Sequence, residues 1–198
     1  MAKVLVIFAH PRLEKSKINK ALLNNFPKHE NIVFNDLYEQ YPNFNIDLQK
    51  EKSLLSDADY VIMQHPFYWY SCPPLLKQWI DIVLELGWAY GPGGTALKGK
   101  KIFNCITTGG NQEAYTHEGR NRFTIKELLS PFDQTAFLCQ MVYLPPFSIL
   151  GTHRLTESEL NQSALLYNKM LVWLANNNFN FTEVLKYSSI NQYMLENA

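Results

Sequence analysis

The chain has 198 residues, enough for one domain with a sizeable core. It is 46% hydrophobic, and its eighteen basic and eighteen acidic side chains cancel, so no basic excess points to nucleic acid and no charge block reads as a tail. The three cysteines, Cys72, Cys105 and Cys139, are widely spaced with no C-x-x-C pair, which suggests neither a disulfide framework nor a metal site.

The elements read in chain order as follows. Residues 3–8 (KVLVIF) are an apolar run of the kind a doubly covered strand needs. The run is too short for a signal peptide, and no stretch approaches the roughly 18–20 apolar residues of a membrane helix, so a cytoplasmic protein is expected. Ser16 is placed to cap a helix over 17–26. Strand 31–35 follows, then an irregular segment, then a helix capped by Asp47 and running to about Ser56. A third strand is expected at 59–64, a helix at 75–86, a fourth strand at 101–107 and a helix at 123–129. A fifth strand is expected at 135–144, and a long helix at 155–175, where Thr156 and Glu159 have capping-box spacing. Residues 1–175 thus read as one domain with 176–198 as its tail. Strands alternating with helices predict an α/β fold with a parallel sheet covered on both faces, whose ligands bind at the carboxyl ends of the strands.

Three loops sit at those ends. The first, A-H-P-R-L-E-K-S-K-I-N (9–19), leads into a helix N-terminus, where free amides and the helix dipole favour a phosphate. His10 and Ser16 are candidate donors, Asn19 a loop-orienting residue, and Arg12, Lys15 and Lys17 lie close by; an ordinary capped turn is the alternative. The second, Q-H-P-F-Y-W-Y-S-C-P-P (64–74), holds Phe67, Tyr68, Trp69 and Tyr70 between prolines. That combination offers an aromatic wall and backbone amides to a flat ring such as isoalloxazine, unless the loop simply plugs the core. The third, T-T-G-G-N-Q-E-A-Y (107–115), has Gly109 and Gly110, which let the backbone approach a ligand, or which simply end a strand. Tyr115, and more weakly His117, are candidate proton donors to a carbonyl acceptor. Neither a GxxxxGK[ST] nor a GxGxxG motif is present.

The stretch from Pro66 to Lys100 (PFYWYSCPPLLKQWIDIVLELGWAYGPGGTALKGK) resembles the NAD(P)H dehydrogenase (quinone) family, and most of all the ancillary quinone oxidoreductase subunits of glutathione-regulated potassium efflux systems. The opening A-H-P…S-x-x-N, the Y-P-x-F-N-I-D segment (41–47), T-T-G-G (107–110) and L-P-P-F (144–147) match as well, in the right order across residues 3–150. The resemblance implies a flavodoxin-like five-stranded sheet of order 2-1-3-4-5 and a homodimer. It also implies FMN, favoured over FAD by the absence of a longer C-terminal extension, and two-electron ping-pong hydride transfer from NADH or NADPH through the flavin N5 to a quinone. By motif, the flavin phosphate would meet His10 and Ser16, Lys17, Ile18 and Asn19. The ring would meet Pro66, Phe67, Tyr68, Trp69 and Tyr70 with Thr107, Thr108, Gly109 and Gly110. Trp88 and Tyr90 would wall the substrate pocket of the neighbouring subunit, and Tyr115 would be the active-site tyrosine, whereas His117 stands at a spacing that departs from the family's histidine. The same resemblance raises a second role, as a regulatory subunit docked on a potassium efflux transporter at the inner face of the membrane. A one-electron flavodoxin carrier is the third reading; zero net charge and the aromatic G-W-A-Y-G loop argue against it.

Overall fold

Period-two alternation divides each central strand between two cores. The computed structural model describes residues 1–197. Its strands are β1 (Val4–Phe8), β2 (Ile32–Asp36), β3 (Tyr60–Pro66), β4 (Lys101–Thr107), β5 (Val142–Tyr143) and β6 (Phe147–Ile149). On one face Leu5 and Ile7, Val61 and Met63, and Ile102 and Ile106 point into the first core. On the other, Val4 and Val6, Tyr60 and Ile62, and Phe103 and Cys105 point into the second. β1 and β3 are buried along their whole length, as the unbroken apolar runs require.

All pairings are parallel, in the order β2-β1-β3-β4-β5, with β6 also on β4. The expected order therefore holds, with one strand more than expected. The helices are α1 (Lys17–Asn24), α2 (Leu37–Gln40), α3 (Leu48–Asp57), α4 (Pro74–Val83), α5 (Ile125–Leu128), α6 (Ser130–Leu138), α7 (Glu157–Ala175), α8 (Phe181–Val184) and α9 (Ile190–Asn197). Leu55, Leu75, Trp79, Leu129 and Phe132 bring α3 to α6 onto the first core. Ile18, Leu22, Tyr167, Leu171, Ile190 and Met194 bring α1, α7 and α9 onto the second. Caps at Ser16, Asp47 and Thr156 form as expected, the last as a complete capping box with Glu159.

The strand expected at 135–144 is a correction. Residues 130–138 form α6, which has Pro131 in its first turn; a proline there fits a helix start and donates nothing to a sheet. The Thr135 hydroxyl bonds back to the Pro131 carbonyl at 2.7 Å. Phe137 and Leu138, read as strand interior, are exposed. The edge of the sheet is instead two short pieces. β5 pairs with Lys101–Ile102 and β6 with Cys105–Thr107, and Pro145 and Pro146 between them lack the amide a ladder needs. The tail beyond 175 is packed: Phe179, Val184, Ile190, Tyr193 and Met194 are buried in the second core.

Candidate functional site

The strand order reverses between β1 and β3, so the loops leaving their carboxyl ends diverge and open a crevice. A cleft of about 270 Å³ lies there. His10, Arg12, Lys15, Ser16 and Ile18 line it after β1; Pro66, Phe67 and Tyr68 at and after the end of β3; Thr107, Thr108 and Gly109 at and after the end of β4; Thr152 and His153 after β6. The lining holds two cations and two histidines and no carboxylate, although the chain as a whole is neutral.

One wall is the start of α1. Ser16 Oγ accepts from the Asn19 amide at 3.2 Å and from Asn19 Nδ2 at 3.0 Å. The same Nδ2 reaches Thr107 Oγ1 at 3.2 Å, which joins the helix start to the end of β4. The Lys17 and Ile18 amides are first-turn donors with no intrahelical acceptor. The Arg12 amide donates to His10 Nδ1 at 3.1 Å, so that nitrogen is unprotonated and the neutral ring carries its proton on Nε2. Burial lowers the His10 pKa, against the opposing field of Glu14.

The aromatic loop forms the opposite wall and lip. Phe67 is buried, with its ring 6.3 Å from that of Tyr115. Trp69 and Tyr70 both have left-handed backbones, at φ 52° and 62°, a conformation that costs a non-glycine residue roughly 1–2 kcal/mol. Trp69 is 92% exposed, so no burial of its own offsets that strain. Tyr70 is anchored through its hydroxyl to Asn121 Oδ1 at 3.2 Å.

Two glycines are set by close approach. A Cβ on Gly109 would stand 2.8 Å from the His153 ring, and one on Gly110 would stand 2.9 Å from the ring of buried Tyr115. The T-T-G-G turn is therefore clasped by β6's exit loop on one side and by Tyr115 on the other. Thr108 and Ile149 share a backbone bond of 2.9 Å, and the Gly151 amide reaches the Gly110 carbonyl at 2.7 Å.

Below the aromatic loop runs a buried polar chain. His65 Nδ1 lies 3.0 Å from the Pro66 carbonyl, which can only accept, so Nδ1 carries the proton. Nε2 then accepts from Asn104 Nδ2 at 3.0 Å, and Asn104 Oδ1 accepts from the Tyr143 hydroxyl at 2.6 Å. Desolvation pushes the fully buried His65 down to about 4. The unfolded chain takes up a proton near pH 6.5 that the folded protein refuses until about pH 4, so stability falls as pH drops through that window. The loss from this group should be on the order of 3 kcal/mol between pH 7 and pH 4. Denaturant titrations at stepped pH should show it, with the slope reduced in His65→Gln; an unchanged slope would rule the assignment out.

Of the residues singled out from sequence, the cleft brings together His10, Ser16, Ile18, Pro66, Phe67, Tyr68, Thr107, Thr108 and Gly109. Asn19, Gly110 and Tyr115 stand behind this lining, while Lys17, Trp69 and Tyr70 are outside it. Trp88 and Tyr90 do not reach the cleft of their own chain. They lie half-buried against the first core, with the Lys52 ammonium 5.1 Å from the Trp88 ring centre. His117 stands apart from the cleft lining, with its Nε2 paired to the exposed Glu127 carboxylate at 3.0 Å. That hydrogen bond, more than any other effect, raises its pKa. Thr152 and His153 were missed, because the proline pair hid the edge strand that delivers them. No helix among the described residues is long and apolar enough to cross a membrane, and none of their His, Cys, Asp and Glu side chains group into a metal-binding cluster.

The flavodoxin-like fold family matches residues 2–171. The chain is 42% identical to the glutathione-regulated potassium-efflux system ancillary protein KefG of Salmonella paratyphi B, over 88% of this chain and 94% of that one. An NADPH-quinone reductase from P. pentosaceus is 33% identical, with a TM-score of 0.74 over 85% of this chain and 96% of that one. The chain belongs to the flavodoxin-like NADPH-quinone reductase family. General stress protein 14 of Treponema denticola, solved in complex with FMN, is 38% identical to this family member, with a TM-score of 0.81 over 88% of this chain and 98% of that one.

Proposed function

We propose that this family member is an FMN-dependent NAD(P)H:quinone oxidoreductase working in ping-pong fashion. The observation that carries the reading is the carboxylate-free cationic cleft between an uncapped pair of helix amides and an aromatic wall. The residues fit FMN. Its phosphate would be held by the first turn of α1 with Ser16, Lys15, Arg12 and the Nε2 proton of His10. Its ring would lie against Phe67 and Tyr68 and the Thr107–Gly110 backbone. FMN supplies the hydride chemistry when bound, and the chain supplies orientation, desolvation and charge. The Gly109 and Gly110 amides donate to no protein acceptor among the described residues, which leaves them free for a negative edge. The phenol of Tyr115, packed over Gly110, would hold a proton at the acceptor oxygen.

In this reading the protein is a cytoplasmic homodimer, with residues 1–198 forming one domain. Trp88 and Tyr90 of the second copy close the substrate pocket over the exposed lip. Loading the protein with FMN and titrating it anaerobically with NADPH tests the activity. Flavin bleaching followed by recovery on adding a quinone is expected, and a flavin that neither NADPH nor NADH bleaches sinks it.

The identity with KefG favours one further role, as an ancillary subunit on the cytosolic domain of a potassium efflux transporter. Pull-down with that domain, compared with a variant at the exposed Pro42, Asn43 and Asn45, distinguishes it from a free-standing enzyme.

A further inference from the structure

The loop after β4 has a second hollow, to whose lining α1 contributes no residue. It measures about 260 Å³ and is bounded by Gly109, Gly110 and Asn111, with Arg120, Arg154 and Glu113 around it. Gly109 also lines the cleft, so the two spaces meet along one backbone segment. Two of the chain's four arginines stand here, and neither forms an ion pair among the described residues. Their two charges outweigh the single carboxylate of Glu113.

We propose, resting on the quinone-reductase reading, that this hollow receives a phosphate of the dinucleotide donor through Arg120 and Arg154. A dihydronicotinamide presented beside Thr107–Gly109 must trail its phosphates off the rim of the cleft. Toward α1 the His10 Nε2 proton and the cations Arg12 and Lys15 would be taken by the flavin phosphate. Past Gly109 the chain offers two unpaired guanidinium groups, whose planar forks match phosphate oxygens two at a time. Both arginines are exposed, so the hold is a matter of donor capture rather than of the hydride step, and its loss belongs in KM.

The test uses the FMN-loaded protein and the double variant Arg120→Ala/Arg154→Ala, with three donors: NADPH, NADH and phosphate-free 1-benzyl-1,4-dihydronicotinamide. For NADPH, kcat/KM should fall about 10–50-fold, carried by KM, with flavin content and the benzyl donor's rate unchanged. A fall for NADPH alone assigns the 2′-phosphate, and an equal fall for NADPH and NADH assigns the pyrophosphate; either supports the site. Equal losses for all three donors, or no loss for either dinucleotide, overturn it. Glu113→Gln removes the opposing charge and should lower KM for NADPH, so a raised KM also counts against the site. If the unaltered protein oxidises none of the three donors, the reductase reading itself has failed.

Discussion

Glu51→Ala is expected to lower the unfolding midpoint by on the order of 10 °C, a larger loss than any surface substitution should give. Glu51 is fully buried on α3. Both its oxygens accept: Oε1 from Tyr41 at 2.6 Å and Asn35 Nδ2 at 3.1 Å, and Oε2 from the Trp79 indole at 2.8 Å and the same Nδ2 at 2.9 Å. One side chain therefore ties β2, the end of α2, α3 and α4 together. Burial, then the hydrogen bond to and negative field of Glu51, pushes the Tyr41 phenol well above its usual range. Alanine would strand three buried donors and leave a cavity, each orphan costing about 1–3 kcal/mol and the whole roughly 3–5 kcal/mol. Glu51→Gln keeps the shape and lets Tyr41 turn to accept, so about half the loss should return. Thermal unfolding of the pair decides the matter. Equal midpoints for the parent and the alanine variant would show that the cluster contributes nothing net.

This cluster also explains part of what resemblance alone had marked. In Y-P-x-F-N-I-D, Tyr41 serves Glu51, Phe44 has a left-handed backbone whose carbonyl accepts from Gln78 at 3.0 Å, and Asp47 caps α3. Tyr41, Phe44 and Asp47 thus serve the scaffold, while Pro42, Asn43 and Asn45 face outward.

Local chemistry made much of the fold legible. Apolar runs marked β1, β3 and β4, and the caps at Ser16, Asp47 and Thr156 depend on residues three positions apart. Two stretches misled. The T-A-F-L-C run is short and apolar, a pattern helix and strand share, and Pro131, which marks the helix start, lies outside it. The edge strand is split into pieces of two and three residues, below what periodicity can register. The three site loops were legible because each begins where a readable strand ends. His153 was not, since its approach to Gly109 depends on β6 pairing across forty residues of chain. His117 shows how sequence proximity differs from place in the fold. It lies two residues from Tyr115 in sequence, yet it pairs with the exposed Glu127 of α5 and is not part of the cleft lining.

Asn19→Ala should weaken FMN binding about 10–100-fold while leaving the protein folded, a change of roughly 1.4–2.8 kcal/mol. Asn19 is buried in α1, and its Nδ2 forks between Ser16 Oγ and Thr107 Oγ1. It thus sets the distance between the two parts of the cleft that FMN would touch together in the proposed reading: the helix start for the phosphate and the β4 exit for the ring. Alanine removes two hydrogen bonds worth about 1 kcal/mol each and frees both hydroxyls to turn elsewhere. Thr107→Val removes one of the two bonds and should cost only a few-fold. Because both losses pass through the same Nδ2, the double variant should bind hardly more weakly than Asn19→Ala alone. Quenching of flavin fluorescence on titrating the apoprotein gives all four affinities. Additive losses would mean that the two residues act separately and that no clamp joins α1 to β4, whereas coincidence of the double and the Asn19→Ala curves identifies Asn19 as the side chain that holds the phosphate end and the ring end of the cleft in register.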